Sequence, residues 1–501
     1  PAPKGAATGI ATGVAMGAAM GPIACLPHLP NARLVGEPAH WPHAASVRVH
    51  SDTRTLMAGD LFVALSGDHY DAHAFLPKLS DQGVQVALVS HGLAQAGLVG
   101  VEVPDTRTGL GDWAQLWRHE CRVPLIAVTG SNGKTTVTQM IASILRIAHG
   151  EAALATAGNF NNDIGLPLTI LRLRSHHRSA VVELGMNHPG EIARLSAIAQ
   201  PTVALVNNAQ REHLEFMQTV DAVAEENSDV FNALPTDGIA VMPHGDAYTP
   251  RWVEKADGRT VWTFSTTDQN ATVYAAGQWQ GDAWSLTLTT PQGSAQVRLA
   301  LAGEHNVANA AAAAACALAA GTALTDVRDG LTAFTAVKGR SRAALLARGA
   351  DAVQLVDDTY NANPDSMRAA IDVLGAMSKP RWLVMGDMGE VGAQGEAFHR
   401  EALSLALDKN IERIDVAGHW WEQVVTHPAD TRAADRLHWH ADVDALADAA
   451  PALGAHSASI LVKGSRFMQM ERVVASLEAT WPPLGSAVNA QQKEFGGRDA
   501  A

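Results

Sequence analysis

The chain has 501 residues, which is too long for a single hydrophobic core and predicts about three domains at the usual ~150 residues each. Apolar residues make up 47% of the chain and charged residues 18%, proportions typical of a soluble globular protein. The formal net charge of −14 argues against binding to nucleic acid or to an anionic membrane, because both require a basic patch and no long run of like charges is present.

The cysteines and histidines exclude several kinds of site. Cys25, Cys121 and Cys316 lie far apart without a CxxC pair, which excludes a disulfide framework and a cysteine zinc site and favours a reducing compartment. The histidine pairs His176-His177 and His438-x-His440 have no partners near them in the sequence. We therefore interpret them as solvated or core residues.

The N-terminal segment PAPKGAATGIATGVAMGAAMGPIA has one lysine and a middle rich in glycine, alanine and threonine. It is too weakly apolar for a signal peptide or a membrane span. We interpret residues 1–21 as a flexible extension, with Met20 as an alternative start. No other stretch is long and apolar enough to span a membrane, so we expect a cytoplasmic protein without membrane insertion. We also expect the protein to be a monomer.

The predicted elements follow an α/β order. Residues 22–120 contain the strand-like runs DLFVAL and VQVALVS and predict a small α/β domain. Residues 121–337 begin with a strand, a glycine loop and a helix, followed by the strand AVVELG (180–185), a helix near 190–199 and the strand TVALVNN (202–208). This alternation is typical of a parallel sheet covered by helices.

The second half of the chain predicts two further sets of elements. Residues 260–300 alternate apolar and polar side chains and predict antiparallel strands at the edge of the central sheet, and the alanine-dense run 308–320 predicts a helix. A third α/β alternation over residues 338–480 predicts a Rossmann-like domain, and residues 481–501 predict a disordered tail. The predicted fold class is α/β with three domains, the central one a parallel-sheet P-loop domain.

The stretch LIAVTGSNGKTTVTQMIASIL (125–145) predicts a phosphate-binding loop. Gly130 and Gly133 allow backbone N–H groups to turn towards an anion at the N-terminus of the helix that follows. Lys134 can reach the β- and γ-phosphates, and the hydroxyl of Thr135 can hold Mg²⁺. Val128 stands where the full Walker pattern has glycine, so the loop is a compressed variant. A chance glycine turn is the alternative, and the strand before and the helix after argue against it.

Two downstream residues fit a metal beside that loop. Glu183 ends the strand AVVELG, where a parallel sheet presents ligand-binding groups. His213 follows the next strand, in NNAQREHLEF. A carboxylate is a usual Mg²⁺ ligand and an imidazole is less so, and either residue could be structural.

Several ordered motifs, covering roughly residues 46–475, resemble the Mur ligases, ATP-dependent amide-forming enzymes of peptidoglycan precursor synthesis. The motifs are SDTR (51–54), GDLFVALSGDHYDAH (59–73), TGSNGKTT (129–136), GNFNNDIGLPLTIL (158–171), ELGMNHPGEI (183–192), GEHNVANA (303–310), KGR (338–340), DDTYNANPDSM (357–367) and VKGSR (462–466). The YNANPDS segment resembles the family member that adds D-alanyl-D-alanine to UDP-N-acetylmuramoyl-tripeptide. The resemblance therefore implies that the protein catalyses this ligation with ATP and Mg²⁺. It also implies that the first domain binds the UDP-sugar.

The resemblance also implies roles for individual residues. Lys134, His213 and Arg340 are implied as catalytic. The implied ATP-binding residues are Gly130, Ser131, Asn132, Gly133, Lys134, Thr135, Thr136, Asn306, Arg340 and Asp358. The implied metal ligands are Thr135, Glu183 and His213. The implied substrate contacts are Ser51, Asp52, Arg54, Asn159, Asn161, Asn162, Asn361 and Asn363. Asn361 and Asn363 could instead be turn residues around Pro364, and a capped turn is the alternative for SDTR.

One position departs from the family pattern. Many Mur ligases carry a lysine, modified to a carbamate, in the helix after the metal-site histidine, and Asn227 occupies that position here. An amide cannot form a carbamate. Either a neighbouring acid such as Glu226 or Asp229 substitutes for it, or a second metal ion is held in another way.

Three rival functions remain open. A related ligase could add a different amino acid, or glutamate to folate, although SDTR and YNANPDS disfavour it. A nucleotide-gated switch or motor would use an aspartate-ending strand, and a GTPase an NKxD base reader, and neither pattern occurs. A non-enzymatic ATP-binding protein would keep nucleotide binding without turnover.

Overall fold

The computed structural model describes residues 21–41, 47–67, 70–281, 283–426, 431–433 and 435–484. They form two compact units. The first comprises the residues up to Val123 with Thr156–Arg178 and Ala197–Gln200, and the second comprises Pro124–Ala155, Ser179–Ser196 and the residues from Pro201 onward. Apart from Gly21 and residues 481–484, the predicted extension and tail lie outside the described residues. No helix in the described ranges has the length and apolar character needed to cross a bilayer.

The first unit contains a five-stranded sheet in the order β1-β7-β6-β3-β2. Its strands are β1 (Arg33–Val35), β2 (Val49–His50), β3 (Leu61–Val63), β6 (Val86–Val89) and β7 (Val99–Glu102), with a separate pair β4 (Ser66–Gly67) and β5 (Tyr70–Asp71). Its helices are α1 (Leu76–Leu79), α2 (Leu93–Ala96), α3 (Thr106–Glu120) and α5 (Gly165–Ile170). The strands β3 and β6 are fully buried, as their unbroken apolar runs predict.

The second unit begins with a nine-stranded sheet in the order β16-β15-β14-β13-β12-β11-β8-β10-β9. Its strands are β8 (Leu125–Thr129), β9 (Ala153–Ala155), β10 (Ser179–Glu183), β11 (Val203–Val206), β12 (Ile239–Pro243), β13 (Thr260–Ser265), β14 (Val273–Trp279), β15 (Trp284–Thr290) and β16 (Gly293–Leu299). The helices of this stretch are α4 (Lys134–His149), α6 (Glu191–Ala199), α7 (Leu214–Met217), α8 (Val220–Ser228), α9 (Thr249–Lys255), α10 (His305–Ala319) and α11 (Leu324–Thr332).

The helix predicted from the alanine-dense run is α10, and its alanines from Ala310 to Ala317 are buried in the same core as α4 and the sheet. The prediction of antiparallel strands over 260–300 is wrong for the first of them. β13 pairs in parallel with β12 and with β14, and the antiparallel pairs begin at β14 and β15. The reason is that α9 carries the chain back between β12 and β13, so both strands run in the same direction.

A six-stranded sheet follows in the order β17-β18-β22-β19-β20-β21, with one antiparallel pair, β17 and β18. Its strands are β17 (Arg342–Arg348), β18 (Asp351–Asp358), β19 (Arg381–Gly386), β20 (Arg413–Ala417), β21 (Leu437–His440) and β22 (Ser459–Lys463). Its helices are α12 (Pro364–Gly375), α13 (Gly395–Asp408), α14 (His419–Thr426), α15 (Val443–Leu453) and α16 (Glu471–Thr480). The α/β fold class is confirmed, and the predicted domain boundaries stay predictions.

Residues 481–484, at the start of the predicted tail, pack against the six-stranded sheet. Trp481 is buried in the core beside β18 and β22. The Pro482 carbonyl accepts a hydrogen bond from the Ala347 N–H at 2.9 Å, and the Leu484 N–H donates to Leu345 O at 2.7 Å. A buried tryptophan and pairing with an edge strand therefore order residues that show no periodicity of their own.

Candidate active site

The predicted phosphate loop lies between β8 and α4, so the expected strand, loop and helix are confirmed. Gly130 and Gly133 have φ angles of 127° and 81°, in the region that favours glycine. A Cβ atom on Gly133 would lie 2.5 Å from Asn309 Oδ1 and 2.8 Å from Asn207 Nδ2. The loop therefore needs glycine here for backbone conformation and for space.

Those two amides belong to a chain of hydrogen bonds beside the loop. Asn207 Nδ2 donates to Asn309 Oδ1 at 3.0 Å, and Asn309 Nδ2 donates to Asn306 Oδ1 at 2.9 Å. All three asparagines are buried. The chain brings the predicted adenine contact, Asn306, next to the loop through a single intervening side chain.

The substitution Gly133→Ala is expected to weaken ADP binding at least about fivefold, because relieving the clash costs about 1–3 kcal/mol of loop rearrangement. Isothermal titration calorimetry with ADP measures the effect. Gly258→Ala is the matched control, since Gly258 has a φ of 75° and a Cβ atom added there would have no atom beyond its chain neighbours within 4 Å. Equal losses of affinity in the two variants would contradict the argument from crowding.

Three N–H groups of the loop already donate to protein acceptors. The Gly130 N–H donates to Asn227 Oδ1, the Ser131 N–H to Asn208 O and the Asn132 N–H to Asn208 Oδ1, at 2.9, 3.1 and 2.8 Å. An anion at this end of α4 would therefore meet the N–H groups of its first turn, which carry no intrahelical bond. These N–H groups belong to Lys134, Thr135 and Thr136.

Asn227 anchors the loop from α8. Its side chain is fully buried, Oδ1 also accepts from Thr129 Oγ1 at 2.6 Å, and Nδ2 donates to Val223 O at 2.9 Å. The two acids that could take the place of the family lysine have other partners in this structure. Glu226 accepts from the Gly190 and Ile192 N–H groups at the start of α6, and Asp229 pairs with Lys255. Successive residues of a helix point in different directions, so both acids face other partners.

Lys134 stands at one end of a line of alternating charges. Its Nζ lies 2.7 Å from Glu212 Oε1, and the same oxygen lies 3.4 Å from His213 Nε2. His213 Nδ1 lies 2.5 Å from Glu390 Oε2, an ion pair without hydrogen-bond alignment. Burial would lower the pKa of His213, but Glu212 and Glu390 outweigh it and raise that pKa to about 9. Burial would raise the pKa of Glu212, but Lys134 and His213 hold it below its ordinary value.

The predicted Mg²⁺ ligands fit the ion in part. Glu183 is 2% exposed at the carboxyl end of β10, in register with Val128 of β8, and Thr135 is buried in the first turn of α4. Both supply oxygen, which Mg²⁺ prefers. His213 offers a ring nitrogen, which Mg²⁺ prefers less than oxygen, and the ring lies between the carboxylates of Glu212 and Glu390. The metal role of His213 stays a prediction.

The YNANPDS loop contacts the phosphate loop directly. Asn363 Nδ2 donates to Asn132 Oδ1 at 2.9 Å, and Asn132 Nδ2 donates to Asn363 Oδ1 at 3.3 Å. Asn363 also caps α12, since its Oδ1 accepts from the Ser366 N–H at 2.9 Å. The side chain of Asn363 is therefore a turn residue, as the alternative interpretation has it, and also a contact of the phosphate loop.

The VKGSR motif braces that loop, a role that the sequence left without explanation. Lys463 is 3% exposed, and its Nζ donates to Asp358 Oδ2 at 2.6 Å and to Asn361 O at 2.8 Å. Ser465 Oγ donates to Ala362 O at 3.1 Å. Two predicted ligand contacts, Asp358 and Asn361, thus share one buried cation.

Arg340 lies on the face of an aromatic ring. Its guanidinium carbon is 4.0 Å from the centre of the Tyr360 ring, and that of Arg466 is 5.9 Å away. A cation held over an aromatic face is attracted by the ring quadrupole. Tyr360 therefore orients the arginine that the sequence predicts to act on the phosphates.

Sequence reasoning missed Arg211. Its guanidinium pairs with Asp365 of α12 at 2.7 Å and with Glu401 of α13 at 2.8 Å, and it lies 5.3 Å from the centre of the Phe398 ring. These carboxylates raise the pKa of Arg211 above its ordinary value. Arg211 and Glu212 stand directly before the predicted metal-site histidine, which was the available signal for both.

The predicted UDP and substrate contacts at 51–54 and 159–162 lie in the first unit. Asp52 Oδ1 accepts from the Arg54 backbone N–H at 3.0 Å and from its Nε at 2.9 Å, bonds that lower the pKa of Asp52. Ser51 is half-buried. The Asn161 N–H donates to Asn159 O at 2.8 Å, and Asn162 Oδ1 accepts from the Gly165 N–H at 2.9 Å. Their ligand roles stay predictions.

Comparison with known proteins gives two family matches, to the Mur ligase middle domain over residues 128–317 and to the Mur ligase, glutamate ligase domain over residues 341–466. The UDP-N-acetylmuramoyl-tripeptide--D-alanyl-D-alanine ligase of Escherichia coli is 40% identical over 433 residues, covering 86% of this chain and 93% of its own. The ligase of that name from Haemophilus influenzae is 36% identical over the same shares. A crystal structure of MurF from Acinetobacter baumannii has a TM-score of 0.77 and 36% identity, covering 86% of this chain and 93% of that one. Because the matched stretches contain the phosphate loop, Glu183, His213 and the YNANPDS loop, the chain belongs to the Mur ligase family.

Proposed function

We propose that the protein joins D-alanyl-D-alanine to UDP-N-acetylmuramoyl-tripeptide, with ATP converted to ADP and phosphate, in peptidoglycan precursor synthesis. The relatives of that name support the substrate pair. The single structural observation that carries the proposal is the amide pair between Asn132 and Asn363. It brings the predicted dipeptide loop against the predicted nucleotide loop, as a ligase that couples the two substrates requires.

The chemistry proceeds through an acyl phosphate. A carboxylate and an amine do not condense in water, because the carboxylate oxygen that would have to leave, as hydroxide, is a poor leaving group. A carboxylate oxygen of the tripeptide attacks the γ-phosphorus of ATP and ADP leaves. The neutral amine nitrogen of the dipeptide then attacks the carbonyl carbon, phosphate leaves, and the nitrogen releases a proton as the amide forms.

The side chains supply charge and position. Lys134 and Arg340 offset the negative charge on the transferring phosphoryl group, and Tyr360 holds Arg340 in orientation. Mg²⁺ bound by Thr135 and Glu183 would add positive charge beside the phosphate oxygens. Asn306 is assigned to adenine, Asp358 to ribose, and Asn361 with Asn363 to the dipeptide. Ser51, Asp52 and Arg54 are assigned to UDP, and Asn159, Asn161 and Asn162 to the tripeptide.

The test is phosphate release by the purified protein with UDP-N-acetylmuramoyl-tripeptide and ATP. We expect release to require D-alanyl-D-alanine and to match amide formation mole for mole. Single amino acids, glutamate among them, are tested in place of D-alanyl-D-alanine, because a related ligase would use one of them as its acceptor. Release that is independent of every acceptor, with no amide formed, would refute the proposal. A cytoplasmic location and a monomeric state are parts of this proposal, and light scattering tests the second.

A further inference from the structure

The carboxylate of Glu212 is paired with Lys134, the side chain that is expected to bind phosphate. The ammonium of Lys134 donates to Gly130 O at 2.6 Å, Ser131 O at 3.0 Å and Glu212 Oε1 at 2.7 Å. A lysine ammonium has three N–H donors, so all of them are used. A phosphate oxygen can bind Lys134 only by displacing one of these acceptors, and Glu212 is the only charged one of the three.

The position of Glu212 suits reversible exchange. The residue is 8% exposed, so its charge is poorly screened by water. Its second oxygen, Oε2, accepts no hydrogen bond from any residue in the described part of the chain. His213 Nε2 lies 3.4 Å from the oxygen that accepts from Lys134.

We propose that Glu212 is a positioning residue that competes with the nucleotide phosphates for Lys134. It holds the lysine ammonium in the nucleotide-free centre and takes it back as the product leaves. Because a phosphate must displace this carboxylate from Lys134, Glu212 weakens ADP binding and favours product release. This inference rests on the proposed binding of nucleotide at the loop.

The test is the substitution Glu212→Gln, which keeps the shape and an oxygen acceptor but removes the charge. We expect the Kd for ADP to fall about tenfold in calorimetry, with a lower KM for ATP and no gain in kcat. Glu215→Gln is the matched control, because it makes the same change in net charge at an exposed residue nearby. Its Kd for ADP is expected to stay within twofold, within the usual small effect of a surface change.

Two further variants separate the possible outcomes. Glu212→Asp shortens the side chain away from Lys134 and is expected to strengthen ADP binding by less than the glutamine does, so it replaces the glutamine variant if that protein fails to fold. In a Lys134→Met background the gain from Glu212→Gln is expected to shrink severalfold. Unchanged or weaker ADP binding in both Glu212 variants, or an equal gain without Lys134, overturns the inference while the proposed function stands. Failure of the unsubstituted protein to bind ADP overturns both.

Discussion

Replacing Lys134 by methionine is expected to lower kcat/KM for ligation by about three orders of magnitude, the usual cost of removing a cation from a transferring phosphoryl group. Methionine keeps the length of the side chain and loses the charge. The substitution also leaves the buried Glu212 without its lysine, so we expect the unfolding temperature to fall as well. Steady-state kinetics with both substrates and thermal unfolding measure the two effects.

The double variant Lys134→Met with Glu212→Gln separates chemistry from stability. It removes the buried carboxylate that has lost its lysine, so the unfolding temperature is expected to recover while activity stays lost. Lys409→Met is the control for the loss of a lysine, because Lys409 pairs with Asp372 on a partly exposed face. A Lys134→Met protein that retained a tenth of the original activity would contradict the assignment of Lys134 to the phosphoryl group.

Replacing Lys463 by methionine is expected to cost about 3–5 kcal/mol of unfolding free energy, the range for removing one partner of a buried ion pair. Lys463 is 3% exposed and its Nζ lies 2.6 Å from Asp358 Oδ2, so the substitution removes the cation from a largely buried carboxylate. It also frees the carbonyl of Asn361, and ligation is expected to be lost with the loop. Urea unfolding and steady-state kinetics are the measurements.

The pH dependence of this pair has a definite sign. Burial would raise the pKa of Asp358, but the Lys463 ammonium outweighs it and holds the pKa below its ordinary value. The pair therefore stabilises the fold above the ordinary carboxyl pKa of about 3.9, and the contribution is lost as the pH falls through the lowered value. We expect the stability difference between the unsubstituted protein and Lys463→Met to narrow in acid.

Two variants complete this test. Adding Asp358→Asn to Lys463→Met removes the stranded charge and should restore part of the stability without restoring ligation. Lys379→Met is the surface comparison, since its 3.6 Å contact with Glu412 is exposed and is expected to contribute less than about 1 kcal/mol. A cost below about 1 kcal/mol for Lys463→Met would contradict the account of the buried pair.

The local elements of the centre could be predicted from the sequence. The run LIAVT predicted a buried strand, the glycines after it a turn, and KTTVTQMIASIL a helix, and β8 and α4 occupy those residues. The alanine-dense stretch likewise predicted α10. The direction of β13 was predicted wrongly. The alternation over 260–265 resembled an antiparallel edge, but α9 makes β13 parallel to β12.

The sequence by itself determined the order of strands and helices and the phosphate loop, because periodicity, glycine conformation and helix propensity act over a few neighbouring residues. Only the tertiary structure decided which charges meet. Glu212 contacts a lysine 78 residues away, and Lys463 contacts a carboxylate 105 residues away. Glu226 accepts from the N–H of Ile192 and Asp229 pairs with Lys255, so their side chains point to partners other than those of Asn227. Those contacts depend on strand order and helix rotation, which are set by the packing of the whole unit and leave no local pattern in the chain.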